Sequence, residues 1–295
     1  MAKNPYSSAT RTMRVVLDGL VFPEVPRWKN GRLWFCDFQL WIPGATGQVI
    51  TVDQGGTAQT VVDQVPGGPP NGLGWLPDGR LLISAGAGRA LLAVEPDGGL
   101  TRYADLAGVA SQWLNELVVD AEGRVYVGSS QVPPDPRTLT ELMIVHADGR
   151  VEVTDSAMRF PNGFMIPPGG KTLIAAESTA HCLTAFTIAG DGTLHDKRVW
   201  APLPGMIPDG PCLDQEGCVW FADAIGKACI RVAEGGEIKD RVETDQDAFA
   251  CTRGGEDGRT LFMTTSINPF TGGAPGGRPG KIVAVEVDVP GAGSA

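Results

Sequence analysis

The stretch PNGFMIPPGGKTLIAAES, residues 161 to 178, sets a carboxamide, Asn162, between Pro161 and Gly163 at the head of an apolar run. The run reads as a short strand, a tight Gly-Gly turn, and a second strand of bulky apolar residues. An amide is out of place where a strand starts to bury itself, unless that position has a task of its own. The same unit recurs. Copies open with PEVPRWKNGRLWFCD at Pro23, PNGLGWLPDGRLLISA at Pro70, LNELVVDAEGRVYVGS at Leu114, PDGPCLDQEGCVWFADA at Pro208 and FACTRGGEDGRTLFMTTS at Phe249. Their second residues, in chain order with Asn162 included, are Glu24, Asn71, Asn115, Asn162, Asp209 and Ala250, separated by 47, 44, 47, 47 and 41 positions. The turn glycine follows 8 residues later in five copies (Gly79, Gly123, Gly170, Gly217, Gly258) and 7 later, at Gly31, in the first.

Two further strand-like runs follow in most copies, such as GQVITVD and TAQTVVDQ after the first. Four antiparallel strands per 41 to 47 residues, six times over, predict an all-β, six-bladed β-propeller. MRVVLDGL (13 to 20) precedes the first copy as an orphan strand, and KIVAVEVDV (281 to 289) leaves the sixth blade one strand short. Pairing the two closes the last blade with the N-terminal strand and protects its edges. The reading is a single domain over residues 1–295, with 1–10 and 290–295 as loose tails.

Bulk properties agree. With 42% apolar and 20% charged residues, 40 glycines and 23 prolines in 295 residues, the composition is globular and turn-rich. A net charge of −10 makes nucleic acid and anionic membrane poor partners. No apolar run approaches the ~18 residues of a membrane span, and the N-terminus lacks the apolar core of a secretory signal, so a cytoplasmic location is expected. The six cysteines show no zinc spacing and read as reduced, mostly buried thiols. No GxSxG motif is present, and the three histidines offer no local partner for a nucleophile.

The first strand of each blade lines the axis of a propeller, so equivalent positions form a ring. Five of the six ring positions carry oxygen-bearing side chains: Glu24, Asn71, Asn115, Asn162 and Asp209. Hard oxygen donors of this kind suit Ca²⁺, with Mg²⁺ or Mn²⁺ as alternatives, and argue against a thiolate zinc site. Polar side chains that solvate a water-filled channel are the competing explanation at this stage.

At these residues the chain resembles the senescence marker protein/gluconolactonase family, also called luciferin-regenerating-enzyme-like. PEVPRW looks like its Glu-Gly-Pro-x-Trp opening, FPNG its Asn-Gly motif, PDGPCLDQEG its Pro-Asp-Gly motif, and LNELVVDAEG its Asn-Asp segment. The resemblance implies one divalent metal in the channel, calcium by preference with zinc, manganese or magnesium as alternatives, held by Glu24, Asn162 and Asp209. It also implies Asn115 as a fourth ligand or substrate contact; Asn71, which has no counterpart in the family's motifs, is a second-tier candidate for substrate contact from its place on the ring. The activity implied is hydrolysis of a small lactone or ester, with Asp209 moving the proton and Glu116 as second choice. Strand alternation, however, points Glu116 away from the axis if Asn115 faces it. Val25 stands where the family has Gly, Glu116 replaces its Asp, and SQWLNE lacks the Arg of sugar-lactone members. The loops 37–47, 129–141, 177–182 and 266–280 are expected around the metal mouth. Phe38, Trp41, Trp113, Phe160, Met206 and Phe270 are candidates for an apolar wall favouring a hydrophobic lactone or ester, and His181 is a candidate rim acid. The rivals are a non-hydrolytic metal-binding propeller and a different small-molecule enzyme on the scaffold, of the strictosidine-synthase kind.

Overall fold

The structure, a computed structural model, describes residues 11–40, 42–269 and 277–293. Among these residues the chain forms six four-stranded antiparallel sheets arranged as the blades of a β-propeller. The inner strands are Pro23–Lys29, Pro70–Trp75, Trp113–Val119, Pro161–Met165, Pro208–Leu213 and Asp247–Gly254. Each touches the next, and the last touches the first, which closes the ring. The predicted closure is present: Arg14–Leu20 pairs antiparallel with Gly280–Glu286, with Arg14 opposite Ala284 and Leu20 opposite Gly280. Helical structure among the described residues is a single 3₁₀ turn, Ser178–Ala180, and no helix is long and apolar enough to cross a membrane.

Burial explains why six sheets hold together without helices. An apolar cluster fills each junction between neighbouring blades. Between blades two and three, for example, Leu82 and Leu91 meet Leu117, Val127 and Met143. Each fully buried Leu or Met contributes about 1.5–3 kcal/mol. The second strands, such as Leu81–Ala85 and Val219–Asp223, are buried along their whole length, whereas the outer strand Ala58–Val62 is largely exposed. All six cysteines are unpaired, five of them buried. One expectation needs correction: Pro290 to Ala292 are not loose. The Gln215 amide donates to the Pro290 carbonyl at 2.9 Å, Gly291 to Gly258 at 2.9 Å, and Ala292 to Leu213 at 3.2 Å. Residues 1–10, 294 and 295 lie outside the described residues.

Every inner strand carries one residue too many at the axis. Between blade one's pairs Glu24–Cys36 and Arg27–Trp34, the inner strand advances three residues while its partner advances two. Register irregularities of the same kind sit at the ring position of all five other blades. An extra residue is a β-bulge, which bends the strand and re-aims side chains. In three blades the residue after the ring position has positive φ: Val25 at 55°, Gly163 at 109° and Gly210 at 41°. This conformation turns the next amide back toward the ring, and the Val25 N–H donates to Glu24 Oε2 at 3.2 Å.

Val25 is a β-branched residue in the left-handed region, which costs roughly 1–2 kcal/mol. Its side chain offsets that by packing with Cys36, Val49 and Leu73. Two substitutions separate these contributions. Val25→Ala keeps the strain and loses the packing, so a loss of about 2 kcal/mol is expected in chemical denaturation. Val25→Gly removes more side chain yet relieves the strain, so it should cost less than Val25→Ala. The reverse order would mean that the backbone is unstrained.

Candidate active site

Glu24, Asn71, Asn115, Asn162 and Asp209 all line one cavity of about 400 Å³ at the front end of the channel. The ring foreseen from the repeat is therefore a physical floor. Asn162 is fixed by its neighbour: Asn115 Nδ2 donates to Asn162 Oδ1 at 3.0 Å and to the Pro161 carbonyl at 2.9 Å. Asn71 Nδ2 donates to the Leu114 carbonyl at 2.7 Å, which leaves its oxygen buried without a hydrogen-bond partner. Asp209 Oδ1 is likewise buried and unpartnered. Ala250, the sixth ring position, is fully buried and offers no donor.

Burial pushes the Glu24 carboxyl up to about 8, helped by the nearby Glu116 charge and opposed by the Val25 amide and Arg27. Burial also raises Asp209 well above the ordinary carboxylate range, with Glu24 and Glu116 adding to it. Two acids held above their unfolded pKa bind protons more tightly when folded, so the folded state gives up stability as they are forced to ionise. Without a divalent cation, melting temperature is expected to fall as pH rises from about 4.5 through about 8. Glu24→Gln should flatten that decline. Added Ca²⁺ should raise the melting temperature more at pH 8 than at pH 6, and a pH-independent effect would remove the link between the ion and these acids.

Glu116 does not point away from the axis. Its carboxylate Oε2 accepts from Arg27 Nη2 at 2.5 Å, and its exposure is 2%. Arg27 belongs to blade one and Glu116 to blade three, and the inner strand of blade two stands between those strands in the ring. Their side chains therefore meet across the channel. The extra residue between Leu114 and Leu117 is the cause, because it breaks the alternation and lets Asn115 and Glu116 both face inward. Glu116 does not line the front cavity. Arg27 instead lines a second cavity of about 280 Å³, bounded by Gly255 and Gly258 of the sixth blade's first turn and by Gly291. The ion pair is thus a partition below the ring.

Above the ring lies a collar that the repeat also encodes. Two positions before the ring residues stand Phe22, Pro69, Trp113, Phe160 and Ile207, and all five line the front cavity. Period-two alternation puts them on the ring residues' face, one step nearer the mouth. Comparing this column across the copies would have found Phe22, Pro69 and Ile207. Carboxylates on the second strands or the loops that follow them hold the approaches to the collar. Asp37 Oδ1 accepts from Val21 and Phe22 amides at 2.9 and 2.8 Å, Glu177 Oε2 from Arg159 at 2.7 Å, Asp223 Oδ1 from Ile207 at 3.1 Å, and Glu141 Oε2 from Ser111 at 3.2 Å. Phe22 also packs on Phe249 with ring centroids 4.5 Å apart, and Phe249 lines the cavity too. Loops 37–47 and 129–141 supply Phe38, Leu40 and Val132 to the wall, as expected. His181 is not brought to the site: it is exposed, and its Nδ1 donates to the Met206 carbonyl at 2.6 Å. Met206 packs instead against the cluster between blades four and five. Trp41 and Phe270 lie outside the described residues.

Residues 22–267 match the family described as the SMP-30/Gluconolactonase/LRE-like region. The chain belongs to this family. A 6-deoxy-6-sulfogluconolactonase of Pseudomonas putida is 27% identical to it over 219 residues, covering 72% of this chain and 75% of the relative. The diisopropyl-fluorophosphatase of Loligo vulgaris is 25% identical over 264 residues, covering 81% and 84%. Among solved structures, a calcium-binding regucalcin of Agrobacterium tumefaciens superposes with a TM-score of 0.76 at 18% identity, covering 95% of each chain. That last likeness concerns the fold.

The family's pattern of donors can be tested against these residues. Among the described residues no three of His, Cys, Asp and Glu converge as a metal cluster. The floor of the front cavity instead mixes two carboxylates with three carboxamides. Unpartnered, buried acceptor oxygens on Asn71, Asp209 and Glu116 leave a deficit of positive charge or donors at the axis. A hard divalent cation fits such a set, since amide oxygens add donors without adding repulsion.

Proposed function

We propose that this protein is a hydrolase of small lactones or esters that works with one divalent cation, calcium by preference, at the axis of the propeller. Glu24, Asn162 and Asp209 would hold the ion, with Asn115 as a fourth ligand or a contact to substrate and Asn71 beside it. The single observation that carries the reading is the set of oxygen donors on one cavity floor, of which Glu24, Asn71 and Asp209 are buried and the last two hold oxygens without partners. The lactonase and phosphatase relatives support hydrolysis as the reaction class. When bound, the ion supplies Lewis acidity toward a carbonyl and acidifies water.

The remaining steps belong to the chain. Asp209, on the cavity floor, takes the proton of the attacking water and returns it to the leaving oxygen. Asn115, tied to Asn162, keeps the amide oxygen oriented toward the axis. The collar excludes bulk water and grips the body of the substrate, with Trp113 and Phe160 as wall residues. Glu116 touches neither substrate nor the front cavity and is assigned a supporting role.

The wall also argues about which substrate. Among the described residues no Lys, Arg or His lines the front cavity, and residues 270–276 contain none in sequence. A substrate with an anionic group would leave that charge unpaired against an apolar collar above a carboxylate floor. A neutral aryl-fused or alkyl lactone should therefore be hydrolysed with kcat/KM about 100-fold above a sulfonated sugar lactone. EDTA should abolish both rates and Ca²⁺ restore them. Absence of turnover across a lactone and ester panel with Ca²⁺, Mn²⁺, Mg²⁺ or Zn²⁺ would defeat the hydrolase reading and leave a binding propeller.

A further inference from the structure

The geometry points to a second role for this chain's own charges: the Arg27–Glu116 pair sets the net charge of the channel to the value that a divalent ion neutralises. This rests on the metal reading above and goes beyond it, because neither residue belongs to the donor set. Arg27 follows Glu24 by three residues on blade one, and Glu116 follows Asn115 directly on blade three. Their 2.5 Å contact spans the channel, with side-chain exposures of 20% and 3%. Glu116 Oε1 has no hydrogen-bond partner, so one guanidinium edge is all that this acid receives.

Three carboxylates, Glu24, Asp209 and Glu116, then share the channel with one cation, Arg27. Ionised, they sum to −2. Electrostatic reach ties them into one group: Glu116 acts on both Glu24 and Asp209, and Arg27 acts on Glu24. The other guanidinium facing the rear cavity, Arg253, stands apart. It donates to the Gly258 and Val289 carbonyls, and its charged neighbours are Asp214 and Arg231 together with the Cys212 and Cys251 thiols. In a desolvated channel each unit of imbalance is felt strongly, so a monovalent ion underfills the group and a trivalent ion overfills it.

The test is a charge-swap cycle read by calorimetric titration with Ca²⁺ and by terbium luminescence, on full-length protein with melting temperature as a fold control. Glu116→Gln lowers the group to −1, and about tenfold or greater loss of Ca²⁺ affinity is expected. Arg27→Met raises it to −3 and should shift the Tb³⁺-to-Ca²⁺ affinity ratio about tenfold toward terbium. The double variant returns to −2 and should recover Ca²⁺ affinity to within about threefold of wild type. Arg27→Lys keeps the charge and loses the planar fork, so its ratio should stay at the wild-type value. A double variant no tighter than Glu116→Gln, or an Arg27→Lys ratio as shifted as Arg27→Met, overturns this inference and leaves the metal site standing. Wild type that binds no Ca²⁺, Mn²⁺ or Mg²⁺ removes both.

Discussion

Asp209→Asn is expected to lower kcat/KM by about 1,000-fold or more while the protein becomes more stable in EDTA at pH 8. The two effects share a cause. Asp209 is a buried acid whose carboxyl is held far above its ordinary range by burial and by Glu24 and Glu116. Asparagine has nearly the same shape, keeps an oxygen toward the axis and removes the charge that the metal-free channel cannot solvate. The proposed proton carrier and half of the floor's negative charge disappear together, so Ca²⁺ binding should weaken in parallel. A site that costs stability to maintain is a common sign of function. Retained activity in Asp209→Asn, measured on a substrate that wild type hydrolyses, would strip Asp209 of its role.

Gly210→Ala should be among the most damaging single methyls in the described residues. A Cβ there would stand 2.1 Å from Ala250 Cβ and 2.5 Å from Ala250 Cα, and the backbone already has φ of +41°. Ala250 lies on the next inner strand, so relief requires blades five and six to separate at the axis. A loss of about 4 kcal/mol or more, or no soluble protein, is expected. Gly217→Ala is the control. It too has positive φ, +76°, but nothing lies within 4 Å of the added atom, so only the conformational cost of about 1 kcal/mol applies. Equal costs in urea denaturation would show that the inner strands can move apart freely.

The propeller was readable because its period is long and its marker residues are rigidly placed. Pro-Asn-Gly and Pro-Asp-Gly recur at nearly constant distances from their turn glycines, and only a closed ring makes such positions equivalent. The floor followed directly, since Glu24, Asn71, Asn115, Asn162 and Asp209 were read as one column. Glu116 was not readable. Alternation assumes that both strands of a pair advance in step, and a bulge breaks that rule without leaving a mark on residue type. Arg27 escaped for the same reason, as its partner lies 89 positions away and across the lumen. The valine at position 25 does not itself announce its left-handed conformation, and the only hint of it is that the position is glycine in the family pattern. The collar is legible in the repeat as an apolar column two positions upstream of the ring residues, a weaker mark than a polar residue in a strand.

The joining of Arg14–Leu20 to Gly280–Glu286 has a consequence for synthesis on the ribosome. Five sheets consist of consecutive strands and can complete themselves as they emerge. The sixth joins the early strand Arg14–Leu20 to the much later Gly280–Glu286, so the nascent chain carries an unpaired strand edge until that later strand is made. Until Gly280–Glu286 is released, the inner strands of blades one and six have no lasting hold on each other, and the floor acids need not meet. The shared floor of the front cavity is therefore assembled only after the ring closes.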